Sequence, residues 1–256
     1  MTGRVLVTGA SRRIGAAIAR HLGARGWAVA VHHHASPDDA EAVAAAIREG
    51  GGNACVVQGE LEDAATPPAL IAATREGLDG PVTALVNNAS LFAWDTHDLK
   101  DYALLNTHMR INLGAPVALA SALAAQGDVE EGAVVNLLDQ KVGNLNPDFF
   151  TYSCSKVALA GATEMLAQAL APRIRVNAVS PGLTLPSLDQ SEEEFAQTCG
   201  ENLLRRRVAL EDIAGTVAHL LESSSITGQN IYVDCGQHLV RSDGDVMFNT
   251  RERPDG

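Results

Sequence analysis

Short apolar runs alternate along the chain with longer stretches whose apolar residues recur at helical spacing. The runs at 5–8, 28–32, 54–58, 84–87, 133–138, 174–179 and 230–233 read as buried strands. Helical periodicity follows Pro37 and Thr66 and spans 106–125, 152–171 and 211–222. Another helix follows the first run, where Ile14, Ala17, Ile18 and Leu22 fall on one face. Strands joined by helical crossovers predict an α/β fold: one doubly wound domain with a seven-stranded parallel sheet and helices on both faces. Ligands of such sheets sit at the carboxyl ends of the strands, which is where chemistry is to be sought.

Neither a linker nor a repeat interrupts this pattern, so residues 1–240 are expected to form a single domain. The irregular stretch after the sixth run holds Pro186 and the acidic Glu192, Glu193 and Glu194. Its position suits a lid over about 182–210, with the acids on a solvated helix face. Residues 241–256 are polar and expected to be loosely held.

A formal charge of −12 argues against a nucleic-acid surface. No apolar run is long enough for a membrane span, and the first residues lead at once into a strand, so a cytoplasmic protein without a signal peptide is expected. The four cysteines form no C-x-x-C and are expected to be reduced thiols.

The first strand breaks at Thr8-Gly9, and Ala10-Ser11-Arg12-Arg13-Ile14-Gly15 opens the helix. A strand feeding a helix through a glycine turn aims backbone N–H groups and the positive helix end at one point, an anion site suited to a dinucleotide pyrophosphate. The spacing T-G-x-x-x-x-x-G differs from G-x-G-x-x-G, and such a turn also serves packing alone. An acid near the end of the second strand would accept a ribose 2′-hydroxyl and select NAD. Here that place holds His32, His33, His34, Ala35 and Ser36. His32, His34 and Ser36 are candidate donors to a 2′-phosphate, with Arg12 or Arg13 adding charge, so NADPH is the expected cofactor. Consecutive strand residues face opposite sides, so the three histidines do not suit a metal, and none is expected.

Tyr152 and Lys156 lie four apart in a helix and share a face. An ammonium beside the phenol is expected to lower its pKa from about 10 and let it pass a proton near neutrality.

With Thr8-Gly9…Gly15, Asn87-Asn88-Ala89-Ser90, Asn112, Tyr152-x-x-x-Lys156 and Ser180-Pro181-Gly182, the chain resembles the short-chain dehydrogenases/reductases over nearly its whole length. The resemblance implies a proton relay of Asn112, Tyr152 and Lys156, with Lys156 also holding the nicotinamide ribose. It places Gly9, Ser11, Ile14 and Gly15 at the pyrophosphate, and Asn87, Asn88 and Ala89 against the cofactor. Pro181, Gly182 and Leu183 would border the nicotinamide amide. Glu60 and Leu61 fall where the family shows Asp and an apolar residue at the adenine. A homotetramer packed through the helices over 106–125 and 152–171 is implied as well.

The family's usual serine at the end of the fifth strand is absent, and Asp139 stands thirteen residues before Tyr152. Together with Arg13 in place of a glycine, His32-x-His34-x-Ser36 and Asn88-Ala89-Ser90-x-Phe92, this resembles the pteridine reductases, including dihydromonapterin and dihydrofolate reductases. That resemblance puts Phe92 over a pterin ring, Ser90 and Arg13 near ligand polar atoms, and Asp139 and Tyr152 at the substrate. A carboxylate suits a pteridine, which offers N–H donors and becomes cationic when a ring nitrogen is protonated; a serine hydroxyl suits an alcohol or ketone. Asp139 would also keep Tyr152 protonated. Ala35 departs from the arginine usual beside the 2′-phosphate. The alternatives are a carbonyl or 3-oxoacyl reductase, and a non-catalytic NADP-binding sensor.

Overall fold

The apolar runs pair into one parallel sheet: β1 (Arg4–Val7), β2 (Ala28–His33), β3 (Ala54–Gln58), β4 (Ala84–Asn87), β5 (Gly132–Leu137), β6 (Ile174–Pro181) and β7 (Asn230–Val233), in the order β3-β2-β1-β4-β5-β6-β7. The computed structural model describes residues 3–187 and 190–253. Met1 and Thr2 of the expected domain, Leu188 and Asp189 of the expected lid, and Pro254, Asp255 and Gly256 of the tail lie outside the described residues.

Side chains alternate across the strands, so each run supplies two cores. Val5, Val7, Val29 and Val31 pack with Ile18 and Leu22 of α1 (Arg13–Ala24), Val43 and Ile47 of α2 (Pro37–Glu49), and Ile213 and Val217 of α8 (Leu210–Glu222). Leu6, Ala30, Leu85 and Val134 pack on the other face, under Leu70 and Ile71 of α3 (Thr66–Gly77) and Leu119 and Leu123 of α5 (Ala115–Ala124). The winding direction reverses between β1 and β4, which opens a crevice at their carboxyl ends. Thr8 bridges it: its hydroxyl accepts from the N–H groups of Asn88 and Ala89 and donates to Val86 O.

Two helices depart from the periodicity, each for a local reason. The helix expected over 106–125 is α4 (Ala103–Met109), a widened π-turn (Arg110–Gly114) and α5 in succession. Pro116 cannot donate to the carbonyl four residues back and its ring crowds that carbonyl, so the preceding turn relaxes outward. α6 (Phe150–Leu170) starts two residues before the expected 152, after Phe149 in the left-handed region at φ 54°. No side chain of its own segment caps it. Asp95 does so from a distant loop, accepting the Thr151 N–H at 3.1 Å along with the Thr151 hydroxyl.

The stretch expected to act as a lid contains α7 (Glu192–Thr198), and the acidic run forms its first turn. Ser191 and Glu194 close a capping box there, and the acids lie at the positive helix end. The tail is not loosely held throughout as expected: Arg241 and Asp243 stay exposed, but residues 244–253 are tied down. They fold back over the ends of β5 and β6, burying Met247 and stacking Phe248 on Phe149. Among the described residues, no helix is long and apolar enough to cross a membrane.

Candidate active site

A cavity of about 600 Å³ opens at the carboxyl ends of β4, β5 and β6. One rim is the first turn. Gly9 has φ +60°, and a Cβ there would lie 3.0 Å from Ala89 Cα. A Cβ on Gly15 would lie 2.3 Å from Gly9 O, so both positions need a bare backbone. Asn88 Nδ2 donates to Thr8 O and Gly9 O and fastens the turn to β4. α1 starts with no side-chain cap and no acid in its first turn, which leaves its positive end available to an anion. Arg13 stands there at φ 54°, in the backbone region that a glycine adopts freely. Its guanidinium lines the cavity with Ile14 and Asn88, and partial burial lowers its pKa. Ser11 and Arg12 line a neighbouring groove that also reaches Arg13.

The residues expected at the second strand do not converge. His32 is buried beneath the turn, with Nδ1 accepting from Gly9 N–H at 3.0 Å and Nε2 donating to Gly59 O at 3.1 Å. Burial depresses its pKa to about 4, so it is a neutral strut and not a phosphate donor. His33 is buried as well. His34 is exposed and pairs with Glu60 at 2.8 Å, and Arg12 is exposed and pairs with Asp39. Ser36 occupies the N-cap of α2 without using its hydroxyl for capping. Leu61 is buried nearby.

At the floor of the cavity Tyr152 donates its hydroxyl to Asp139 Oδ2 at 2.9 Å, while Asp139 Oδ1 accepts the Lys141 N–H at 2.9 Å. Asp139 thus caps a 3₁₀ turn (Gln140–Gly143) with one oxygen and holds the phenol with the other. Lys156 lies one helical turn on, its ammonium donating to Leu137 O at 2.8 Å and lying 5.7 Å from the Tyr152 ring centre. The expected lowering of the phenol pKa is reversed. Burial and the adjacent Asp139 charge push Tyr152 well above its ordinary value, with Asp245 adding to the effect. Burial also raises Asp139 and lowers Lys156 to about 8. A phenol held protonated beside a carboxylate is a proton donor in waiting, and the depressed Lys156 is the group able to change charge near neutrality.

Asn112 lies in the π-turn and is buried. Its Oδ1 accepts from Leu91 N–H and the Ser90 hydroxyl, and its Nδ2 donates to Leu91 O and Ser155 Oγ. All of its hydrogen-bonding capacity is spent, so it makes no direct link to Tyr152 or Lys156. It anchors the Ser90–Leu91 segment instead. Asn87 turns inward and donates to Asn136 Oδ1.

Ser90 and Phe92 line the cavity on one side, and Pro181, Gly182 and Leu183 on the other. Phe92 lies 4.2 Å from Phe149, nearly parallel, and meets Tyr152 edge-on at 4.7 Å. Gly182 allows the end of β6 to approach Asp234, whose Cα would be 2.7 Å from an added Cβ. The remaining wall went unread in the sequence. Asp245, Met247 and Phe248 come from the C-terminal segment, and Lys141 and Asn146 from the loop after β5. Lys141 pairs with Asp245 at 2.9 Å, and Arg253 makes a forked contact with Asp148. The apolar triplet Val246-Met247-Phe248 inside a polar tail was the available signal.

The short chain dehydrogenase family model matches residues 3–197. Among solved structures, FolM alternative dihydrofolate reductase 1 from Brucella canis, complexed with NADP, superposes with a TM-score of 0.89 at 47% identity, covering 93% of this chain and 95% of that one. A 3-oxoacyl-[acyl-carrier-protein] reductase of Staphylococcus aureus is 33% identical over 93% of this chain and 99% of its own length. Dihydromonapterin reductase of Klebsiella pneumoniae is 27% identical over 92% and 96%.

Proposed function

The chain belongs to the short-chain dehydrogenase family, and from that premise we propose that it is an NADPH-dependent reductase delivering hydride to a pteridine ring, a dihydropterin or dihydrofolate. The observation that carries this reading is the Tyr152–Asp139 hydrogen bond in a cavity walled by Phe92. A carboxylate at that point accepts from the N–H donors of a pteridine and supplies the negative charge that a protonated ring nitrogen needs, which a neutral hydroxyl lacks. The aromatic wall suits a flat heterocycle. The likeness to the Brucella protein supports the same choice over the 3-oxoacyl reductase likeness, because its identity is higher at similar coverage.

The site fits the cofactor. The uncapped, acid-free start of α1 and the bare Gly9 and Gly15 leave room for a pyrophosphate, with Ser11, Arg12 and Arg13 beside it. Ser36, whose hydroxyl does not cap α2, would meet a 2′-phosphate, and Arg12 and His34 would join it only by leaving Asp39 and Glu60; Asn88, Ala89, Pro181, Gly182, Leu183 and Lys156 would flank the nicotinamide half. NADPH, when bound, supplies the hydride. Tyr152 holds the proton on its hydroxyl until the substrate needs it, and Asp139 keeps that hydroxyl oriented and protonated. Lys156 replenishes the proton, its pKa of about 8 placing it close to working pH. Asn112 fixes the Ser90–Leu91 segment from which Phe92 projects.

A cytoplasmic homotetramer belongs to the same proposal, supported by Val157 and Met165, which stand exposed on the outer side of α6; light scattering tests it. The function is tested by following NADPH oxidation with a dihydropterin, with an acetoacetyl thioester and with neither. Turnover confined to the pterin is expected. Turnover of the thioester alone would replace this reading with the 3-oxoacyl one, and cofactor binding without turnover would leave a sensor.

A further inference from the structure

Lys141 is a buried cation outside the proton pathway described above, 3% exposed, two residues past Asp139. Its ammonium meets Asn146 Oδ1 at 3.0 Å, Asp148 O at 3.4 Å and Asp245 Oδ2 at 2.9 Å, and lies over the Phe149 ring at 5.6 Å. Its backbone N–H is the group that holds Asp139 Oδ1. Asp245 in turn donates its N–H to Asp148 Oδ2, the carboxylate that Arg253 grips. The C-terminal segment is therefore fastened to the very residue whose amide fixes the carboxylate under Tyr152.

We propose that Lys141 is a positioning residue for the Asp139–Tyr152 pair, and that Asp245 of the C-terminal segment holds it in place. The inference rests on the reductase reading for its meaning, since a carboxylate kept ionised and aimed is what a cationic pteridine requires. A buried lysine side chain has four torsions to fix, and the ion pair with Asp245 fixes its far end. The charged and titratable groups facing Asp139 are Lys141 from the 3₁₀ turn and Tyr152 and Lys156 from α6, with Asp245 beyond Tyr152. Of these, Lys141, Tyr152 and Lys156 favour the ionised carboxylate against burial; Lys141 does so most, through both its N–H and its charge, and Tyr152 through its hydrogen bond.

The test compares Lys141→Met combined with Asp245→Asn, Lys141→Gln and Lys141→Arg with the parent. The double substitution removes both members of the pair, so that no lone charge is left buried. Lys141→Gln keeps hydrogen-bonding capacity without the charge, and serves if the double variant does not fold. Two readouts are taken: the carboxyl ¹³C titration of Asp139, assigned with Asp139→Asn, and the acid limb of the pH–kcat profile. The midpoint and the limb should both move up by about one pH unit in the charge-free variants and return in Lys141→Arg. Emission of Trp94, which packs on Phe248, reports in a Trp27→Phe background that the segment is still docked. An Asp139 titration that stays in place while kcat falls would overturn the proposal, leaving Lys141 a structural residue. Because the carboxyl titration needs no substrate, a wrong substrate class would show separately, as a parent protein that turns over no pterin.

Discussion

Asp139→Asn separates the two tasks that one carboxylate performs. Asn caps helical turns about as well as Asp, so its carbonyl can keep the Lys141 N–H, and stability should change by less than about 1 kcal/mol. The other oxygen is different. An amide NH₂ in its place cannot accept from the Tyr152 hydroxyl and can only donate to it, so the direction reverses and the 2.9 Å bond to a carboxylate is lost. A hydrogen bond to a charged group contributes about 1.5–3 kcal/mol, so turnover with a dihydropterin should fall roughly 10- to 100-fold. Removing the charge also removes one of the causes that raise Tyr152, so the alkaline limb of the rate profile should move to lower pH. The assay is NADPH oxidation over a pH series, with thermal unfolding of the same sample. Parent-level turnover with an unmoved alkaline limb would reduce Asp139 to a cap and remove the physical basis of the pteridine reading.

Tyr152→Phe should lower turnover by about 10²-fold or more while NADPH binding, measured by titration, stays near that of the parent. Phe92→Ala should weaken a bound pterin by about 1–3 kcal/mol, by analogy with base stacking on aromatic side chains, and leave NADPH affinity nearly unchanged. Equal losses for both ligands would assign Phe92 to packing on Phe149 instead. His32, with a pKa of about 4 folded and about 6.5 unfolded, binds fewer protons in the native state. Its share of stability is therefore complete above pH 6.5 and lost as pH falls toward 4, amounting to about 3 kcal/mol at the acid end. Denaturant melts of the parent and His32→Gln should converge across that window, and parallel curves would contradict the buried neutral imidazole.

The sheet was legible because its strands announce themselves as apolar runs: the fully buried Ala84–Asn87 falls where its run does, and so do the partly buried edge strands Ala54–Gln58 and Asn230–Val233. Tyr152 and Lys156 were legible through helical spacing, and Asp139 through its distance to them. What escaped depends on contacts between distant segments. Asp95 caps a helix more than fifty residues away, and Asp245 meets Lys141 across about a hundred, and neither pairing leaves a local pattern. His32 was misread for a related reason. Its chemistry depends on which ring nitrogen meets which backbone group, and a string of three histidines does not reveal that.

The π-turn at Arg110–Gly114 gives the chain's length a meaning that its composition lacks. A π-turn is an α-helix carrying one surplus residue, and here the surplus rotates Asn112 to where all four of its amide contacts are made. Remove any one residue from 110–114 and ordinary α spacing returns, turning the face at 112 by about 100°. Substitutions at the other positions of 110–114 would leave this anchor intact, whereas a single-codon deletion there would unhook the Ser90–Leu91 segment and the aromatic wall that follows it. At this point the protein is guarded against changes of letter and open to changes of count.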